Sequence, residues 1–84
     1  MKYYYNGKLV RTSNNTYTHA YVDYTGRVCT CSKDPDKLIA RRNQRLANYK
    51  TYYENCTDPL RKNNLKEFYE QEKMSKIVEL EMRA

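Results

Sequence analysis

The rhythm of hydrophobic and polar positions changes near Ser32. Before it, tyrosines and β-branched residues come in short runs broken by turn signals. Tyr3-Tyr4-Tyr5, Asn6-Gly7 and Lys8-Leu9-Val10-Arg11 read as a hairpin, because Asn-Gly accepts the positive φ values of a tight type I′ turn. Ser13-Asn14-Asn15 marks a second turn, and Thr16 to Asp23 alternates as a strand. Asp23-Tyr24-Thr25-Gly26 then closes a second hairpin onto Arg27 to Ser32. Asp first and Gly fourth fit a type I turn followed by a glycine bulge. A two-residue turn at Thr25-Gly26 would drive a β-branched residue to positive φ, so the three-residue loop is favoured. The expectation is an antiparallel meander of three or four short strands over residues 1–33.

After Ser32 two stretches read as helices, each opened by Asp-Pro. Proline lacks an amide hydrogen that the first helical position does not need, and the preceding Asp34 or Asp58 can cap the free amides. Helix 1 is placed over 34–56 and helix 2 over 58–83, with helical cores at about 35–55 and 59–82, joined by a short link as an antiparallel hairpin. Ile39, Leu46 and Tyr53 recur every seven residues, as do Arg42, Tyr49 and Cys56, forming a seam along helix 1. Helix 2 is less regular. Leu65, Phe68 and Tyr69 share one face, Met74, Ile77, Val78 and Leu80 fall mostly on another, and Glu70-Gln71-Glu72-Lys73 between them has no apolar member. One straight helix cannot bury both patches against one neighbour, so it either bends or meets a second contact. The expected core is Leu9, Ala20, Val22, Leu38, Ile39, Leu46, Tyr49, Tyr53, Leu65 and Phe68, in a single α+β domain spanning 1–84.

Composition narrows the function. Leu, Ile, Val and Phe number only thirteen of 84 residues, so a thin core must lean on the ten tyrosines. That excludes a two-domain enzyme or a large buried cofactor site, and no apolar run approaches the roughly 18–20 residues of a membrane span. The first residues lack the apolar stretch of a secretory signal, and three cysteines, an odd number, suit reduced thiols. The expected location is the cytoplasm.

Candidate chemistry is sparse. In the three-residue-loop register Tyr21 would face Cys29 and His19 would face Cys31, and with Cys56 the thiols and imidazole make a conceivable Cys3His zinc set. Cys-x-Cys is not a usual knuckle spacing, and Cys56 must arrive from the far end of helix 1, so no metal is expected. His19 with Cys31 is the lone candidate dyad and lacks an orienting group. The reading is therefore no catalytic residues, no cofactor and no enzymatic activity.

Charge carries more. The net charge is +6, made of +7 through residue 62 and −1 from residue 63 onward. Lys37, Arg41, Arg45, Asn48 and Tyr52 line one side of helix 1. Together with tyrosines, that side forms a candidate binding surface for phosphates or an acidic protein. Met74, Ile77, Val78 and Leu80 form a candidate homodimer patch.

Two resemblances extend this reading. Tyr17 to Leu46, with an aromatic-rich strand, the turn from Asp23 to Gly26, a further strand and a capped helix with arginine pairs, resembles the three-strand-plus-helix DNA-binding domains of tyrosine recombinases. That resemblance implies a sheet in the major groove, with Tyr21, Arg27 and Thr30 near bases. Tyr5-Asn6-Gly7-Lys8-Leu9-Val10-Arg11-Thr12-Ser13, followed by Tyr17-Thr18-His19-Ala20, is similar to the start of small proteins encoded by phages and mobile elements of Gram-positive bacteria. This second resemblance implies an anti-CRISPR-like inhibitor that occupies a protein or protein–RNA surface of a host defence complex. Its partners would be a host protein or ribonucleoprotein such as a CRISPR effector, with direct nucleic-acid contact and no membrane. The alternative is a DNA-binding regulator using the sheet and basic helix 1.

Overall fold

The computed structural model describes residues 1–83. Its elements are β1 (Lys2–Tyr5), β2 (Lys8–Thr12), β3 (His19–Val22), β4 (Val28–Ser32), α1 (Pro35–Asn55), α2 (Pro59–Lys73), β5 (Lys76–Glu79) and β6 (Glu81–Arg83). Antiparallel strands precede a pair of helices, an α+β fold as expected. The four N-terminal strands do not run on as one meander. They form two hairpins in separate three-stranded sheets, ordered β2-β1-β6 and β4-β3-β5.

Local chemistry explains the first hairpin. Asn6 and Gly7 both take positive φ, 52° and 76°, the type I′ combination that matches strand twist. In the second, the Gly26 amide donates to the Asp23 carbonyl and the Asp23 amide to the Arg27 carbonyl, each at 3.0 Å. Gly26 sits at φ 87°. This is the expected three-residue loop. The pairing beyond it differs from the expected register. A bulge separates Val22↔Val28 from Tyr21↔Thr30, so His19 lies opposite Ser32 and Cys31 opposite Ala20. Cys29 is the extra residue and is exposed.

Both helices start where Asp-Pro predicts, with Asp34 accepting from the Asp36 amide and Asp58 from the Leu60 amide. Helix 2 does not run to residue 83: α2 stops at Lys73 and the chain continues as strands. No glycine marks the stop. Instead the Ser75 amide and hydroxyl both donate to the Glu72 carbonyl, at 3.0 and 2.5 Å. From α1, Arg42 donates to the carbonyls of Lys73 (2.8 Å) and Ser75 (3.0 Å) and to the Ser75 hydroxyl (2.9 Å). Carbonyls left free at a helix end thus find a cationic donor. Arg42, read as a seam residue, is a clamp on this turn.

The C-terminal strands correct the dimer reading. Ile77 pairs with Tyr21 and Val78 with Ala20, and the Leu80 amide donates to the Thr18 carbonyl at 2.9 Å. Ile77, Val78 and Leu80 are half-buried within the chain's own sheets, and only Met74 of the four remains exposed. The apolar patch meets a second contact, and that contact is intramolecular. With β5 beside β3 and β6 beside β1, one short segment ties the two hairpins together.

The buried residues are Tyr3, Ala20, Tyr21, Val22, Cys31, Leu38, Glu72 and Ser75. Of the expected core, Ala20, Val22 and Leu38 are buried; Leu46, Tyr49, Tyr53 and Leu65 are half-buried. Leu9, Ile39 and Phe68 are exposed. The α1 seam is rotated at its start because there the helix faces the strands, and Leu38 rather than Ile39 points inward. Tyr3 is fully buried; its hydroxyl donates to the Asn15 carbonyl (2.6 Å) and accepts from the Tyr17 amide (3.1 Å). The molecule measures 52 × 22 × 15 Å, drawn out by the helical hairpin.

Candidate binding cleft

Where the β3–β4 hairpin meets the two helices, a cleft of about 260 Å³ opens. Its walls include Tyr21, Asp23, Tyr24 and Cys29 from the hairpin, Arg41, Arg45 and Tyr49 from α1, and Phe68, Gln71 and Glu72 from α2. The residue types are those of a recognition site: aromatic faces, fixed charges and amide edges.

Glu72 anchors the floor. It is 7 % exposed, and its Oε1 accepts from both the Tyr21 hydroxyl and the Arg45 guanidinium. A carboxylate this buried needs such partners, since an unpaired buried charge is strongly disfavoured. Burial pushes the Tyr21 hydroxyl above its ordinary pKa, and the bond to Glu72 adds to that shift. The Glu72 bond holds the Arg45 guanidinium even more firmly protonated than usual. Arg45 also leans over the Tyr49 ring, 5.8 Å from its centroid, and Tyr49 stacks obliquely on Phe68 at 6.3 Å.

The hairpin wall is built around Asp23. Its Oδ1 accepts from the Thr25 hydroxyl (2.5 Å) and from the amides of Thr25 (2.9 Å) and Arg27 (3.0 Å). These bonds, the Thr25 hydroxyl foremost, hold its carboxyl below the usual range. The arrangement fixes the turn that carries Tyr24 and Arg27, both exposed. The Cys29 thiol, 3.8 Å from Asp23 Oδ2, has its pKa raised by partial burial and by that carboxylate. A thiol shifted in this direction is a poor nucleophile.

The structure brings only some of the sequence-derived site residues together. Tyr21, Arg41 and Arg45 come together at the cleft. Tyr21 is nearly sealed, at 5 % exposed, so it shapes the floor and is not a surface contact. Arg45 is engaged with Glu72, leaving Lys37 and Arg41 as the basic-edge residues outside any ion pair among the described residues. Tyr52 lies apart, in a shallow groove near the helix–helix link with Asn55, Asp58, Arg61 and Leu65. The sequence reading missed Glu72 and Gln71. Their signal was the apolar gap at 70–73, in which Gln71 and Glu72 line the cleft while Glu70 and Lys73 pair on the surface.

Among the described residues no three His, Cys, Asp or Glu side chains gather in a way that could hold a metal ion, and the hairpin register separates His19 from Cys31. Among the described residues no helix is long and apolar enough to cross a membrane. No family model, curated protein or solved structure matches the chain.

Proposed function

We propose that this chain is a non-enzymatic binding protein whose working face is the basic edge of α1 together with the β3–β4 hairpin. The observation that carries the reading is Arg41, an exposed cation outside any ion pair among the described residues, lining the aromatic cleft, with the exposed and likewise unpaired Lys37 one turn before it on α1. Arg27 and Tyr24 extend that face from a turn whose geometry is fixed by Asp23. Unpaired arginine beside exposed aromatic surface is the composition of an interface that grips anionic partners.

The partner we infer is a host nucleic-acid-handling complex, such as a CRISPR effector ribonucleoprotein, blocked by occupation of its surface. The protein would then be a phage or mobile-element accessory inhibitor acting in a bacterial cytoplasm. The test is a transformation assay in a host whose defence complex targets the incoming plasmid. Wild-type protein should restore transformation, and Lys37→Glu with Arg41→Glu should abolish the rescue while circular dichroism stays unchanged. Both side chains are exposed, so the fold should shift by no more than about 0.5 kcal/mol per site. A double variant that still protects fully would overturn the basic-edge reading.

A further inference from the structure

The cleft has a feature that a purely protein-facing surface does not need. Every buried side-chain nitrogen and oxygen among the described residues has a hydrogen-bond partner. Both bonds to Glu72 end on Oε1, so Oε2 has no partner of its own, and since no buried polar atom among the described residues lacks one, Oε2 is open to solvent on a residue that lines the cleft. An ionised carboxylate oxygen accepts and never donates. The floor therefore presents an acceptor, with the Gln71 amide beside it able to donate or accept.

The walls are aromatic. Tyr24 comes from the hairpin and Phe68, backed by Tyr49, from the helices; Tyr24 and Phe68 are each 50 % exposed. Arg41 stands at the same cleft with its planar fork free of ion pairs among the described residues. The volume, about 260 Å³, lies below the range of roughly 300–1,000 Å³ usual for drug-sized ligands, so a single ring system is the natural occupant.

We propose that this cleft takes one unpaired, amino-bearing nucleobase of a single-stranded nucleic acid, stacked against Tyr24 and Phe68, with its amino edge on Glu72 and Gln71 and its phosphate on Arg41. A base combines a flat ring, a donor edge and an anion, and each matches a feature of the cleft. The lining charges balance, Arg41 and Arg45 against Asp23 and Glu72, so a lone cationic side chain would leave Arg41 without an anion. An aromatic side chain brings no anion for Arg41. The proposal rests on the docking reading above and names what that face grips.

The test is fluorescence anisotropy with short labelled oligo-dC, oligo-dA and oligo-dT strands and a labelled duplex, at several salt concentrations. Single strands should bind more tightly than duplex, with oligo-dC or oligo-dA ahead of oligo-dT, which lacks the amino group. Phe68→Ala should weaken binding about 5- to 150-fold, as loss of one base–aromatic stack does. Tyr24→Ala, on an exposed turn where the fold is safe, should act similarly and leave the salt slope unchanged. Arg41→Ala should lower that slope by about 0.7. Equal binding of duplex, with Tyr24→Ala silent and Arg41→Ala damaging, would overturn the base pocket and leave the basic edge as a docking face. Failure of every oligonucleotide to bind would also overturn it, while the transformation assay judges the docking reading separately. That outcome would point to a protein surface.

Discussion

At the sheet end of this molecule Tyr3, Ala20, Tyr21, Val22, Cys31, Leu38, Glu72 and Ser75 are shut away from water, whereas no residue from 39 to 71 along the helices is buried. The sheet end is held by side-chain hydrogen bonds between distant segments: the Tyr3 hydroxyl on a neighbouring turn, the Tyr21 hydroxyl on Glu72, the Arg42 guanidinium on the end of α2. The helical arm relies on half-buried side chains, with Tyr53 against Tyr69 at 5.4 Å and Tyr49 against Phe68 at 6.3 Å. In a chain with so few aliphatic residues, tyrosine does two jobs. It fills the enclosed end with its ring and satisfies the backbone there with its hydroxyl. In the arm it covers a seam from one side only. The lesson is one of placement: Tyr21 and Glu72 of the enclosed end form one side of the cleft, and Tyr49 and Phe68 of the arm form another.

The sharpest way to break this comparison is to hollow out one end. Tyr3→Ala removes a fully buried ring and strands the Asn15 carbonyl and Tyr17 amide, so it should cost about 3–5 kcal/mol. That is a large part of the whole stability of so small a domain. Leu65→Ala, half-buried in the arm, should cost less than about 2 kcal/mol. Urea unfolding followed by circular dichroism measures both. Equal losses would mean the arm and the sheet end share one core.

A smaller effect isolates the junction. Arg42→Ala removes the donors that close α2 and launch β5. Hydrogen bonds to a charged group are worth about 1.5–3 kcal/mol, and Arg42 is partly exposed, so a loss near the lower figure is expected. Hydrogen exchange should locate it. The amides of Ile77 and Val78 should exchange faster, with those in the middle of α1 unaffected. Acceleration spread evenly over the chain would show that Arg42 supports the fold at large and is not a local clamp.

How much of this was legible in the residues alone follows from the kind of interaction involved. Hairpin turns and helix starts depend on neighbours in sequence, so Asn6-Gly7, Asp23 to Gly26 and the two Asp-Pro pairs placed them correctly. The end of α2 depends on Arg42, thirty-one residues before Lys73, and carries no local stop signal such as glycine. The mismatch between the two apolar patches of that stretch was visible, and its resolution as strands paired to β3 and β1 was not, because strand partners are chosen by tertiary fit. The same holds for the cleft. Arg41, Arg45 and Tyr21 were singled out from charge and aromatic content, but the pairing of Arg45 with Glu72 and the sealing of Tyr21 arise only when three elements converge.

The finest distinction between the two regions is chemical and lies in acid. Asp23 has its pKa lowered by bonds that exist only in the folded hairpin, first the Thr25 hydroxyl and then the amides of Arg27 and Thr25. A carboxylate with a depressed folded-state pKa stabilises the fold fully above its unfolded value of about 3.9, and that contribution is lost as pH falls through the lower folded value. An acid titration followed by amide chemical shifts should therefore move Thr25 and Arg27 together, with a midpoint below about 3.9. The amides of Thr51 and Leu65 should not follow that midpoint. Replacing the donor, Thr25→Val, should raise the midpoint toward the ordinary Asp value while leaving the Gly26 turn in place. If Thr25 and Arg27 titrate at or above the ordinary value, the Asp23 bonds are not formed in solution. The turn that presents Tyr24 to the cleft would then be held by backbone geometry alone.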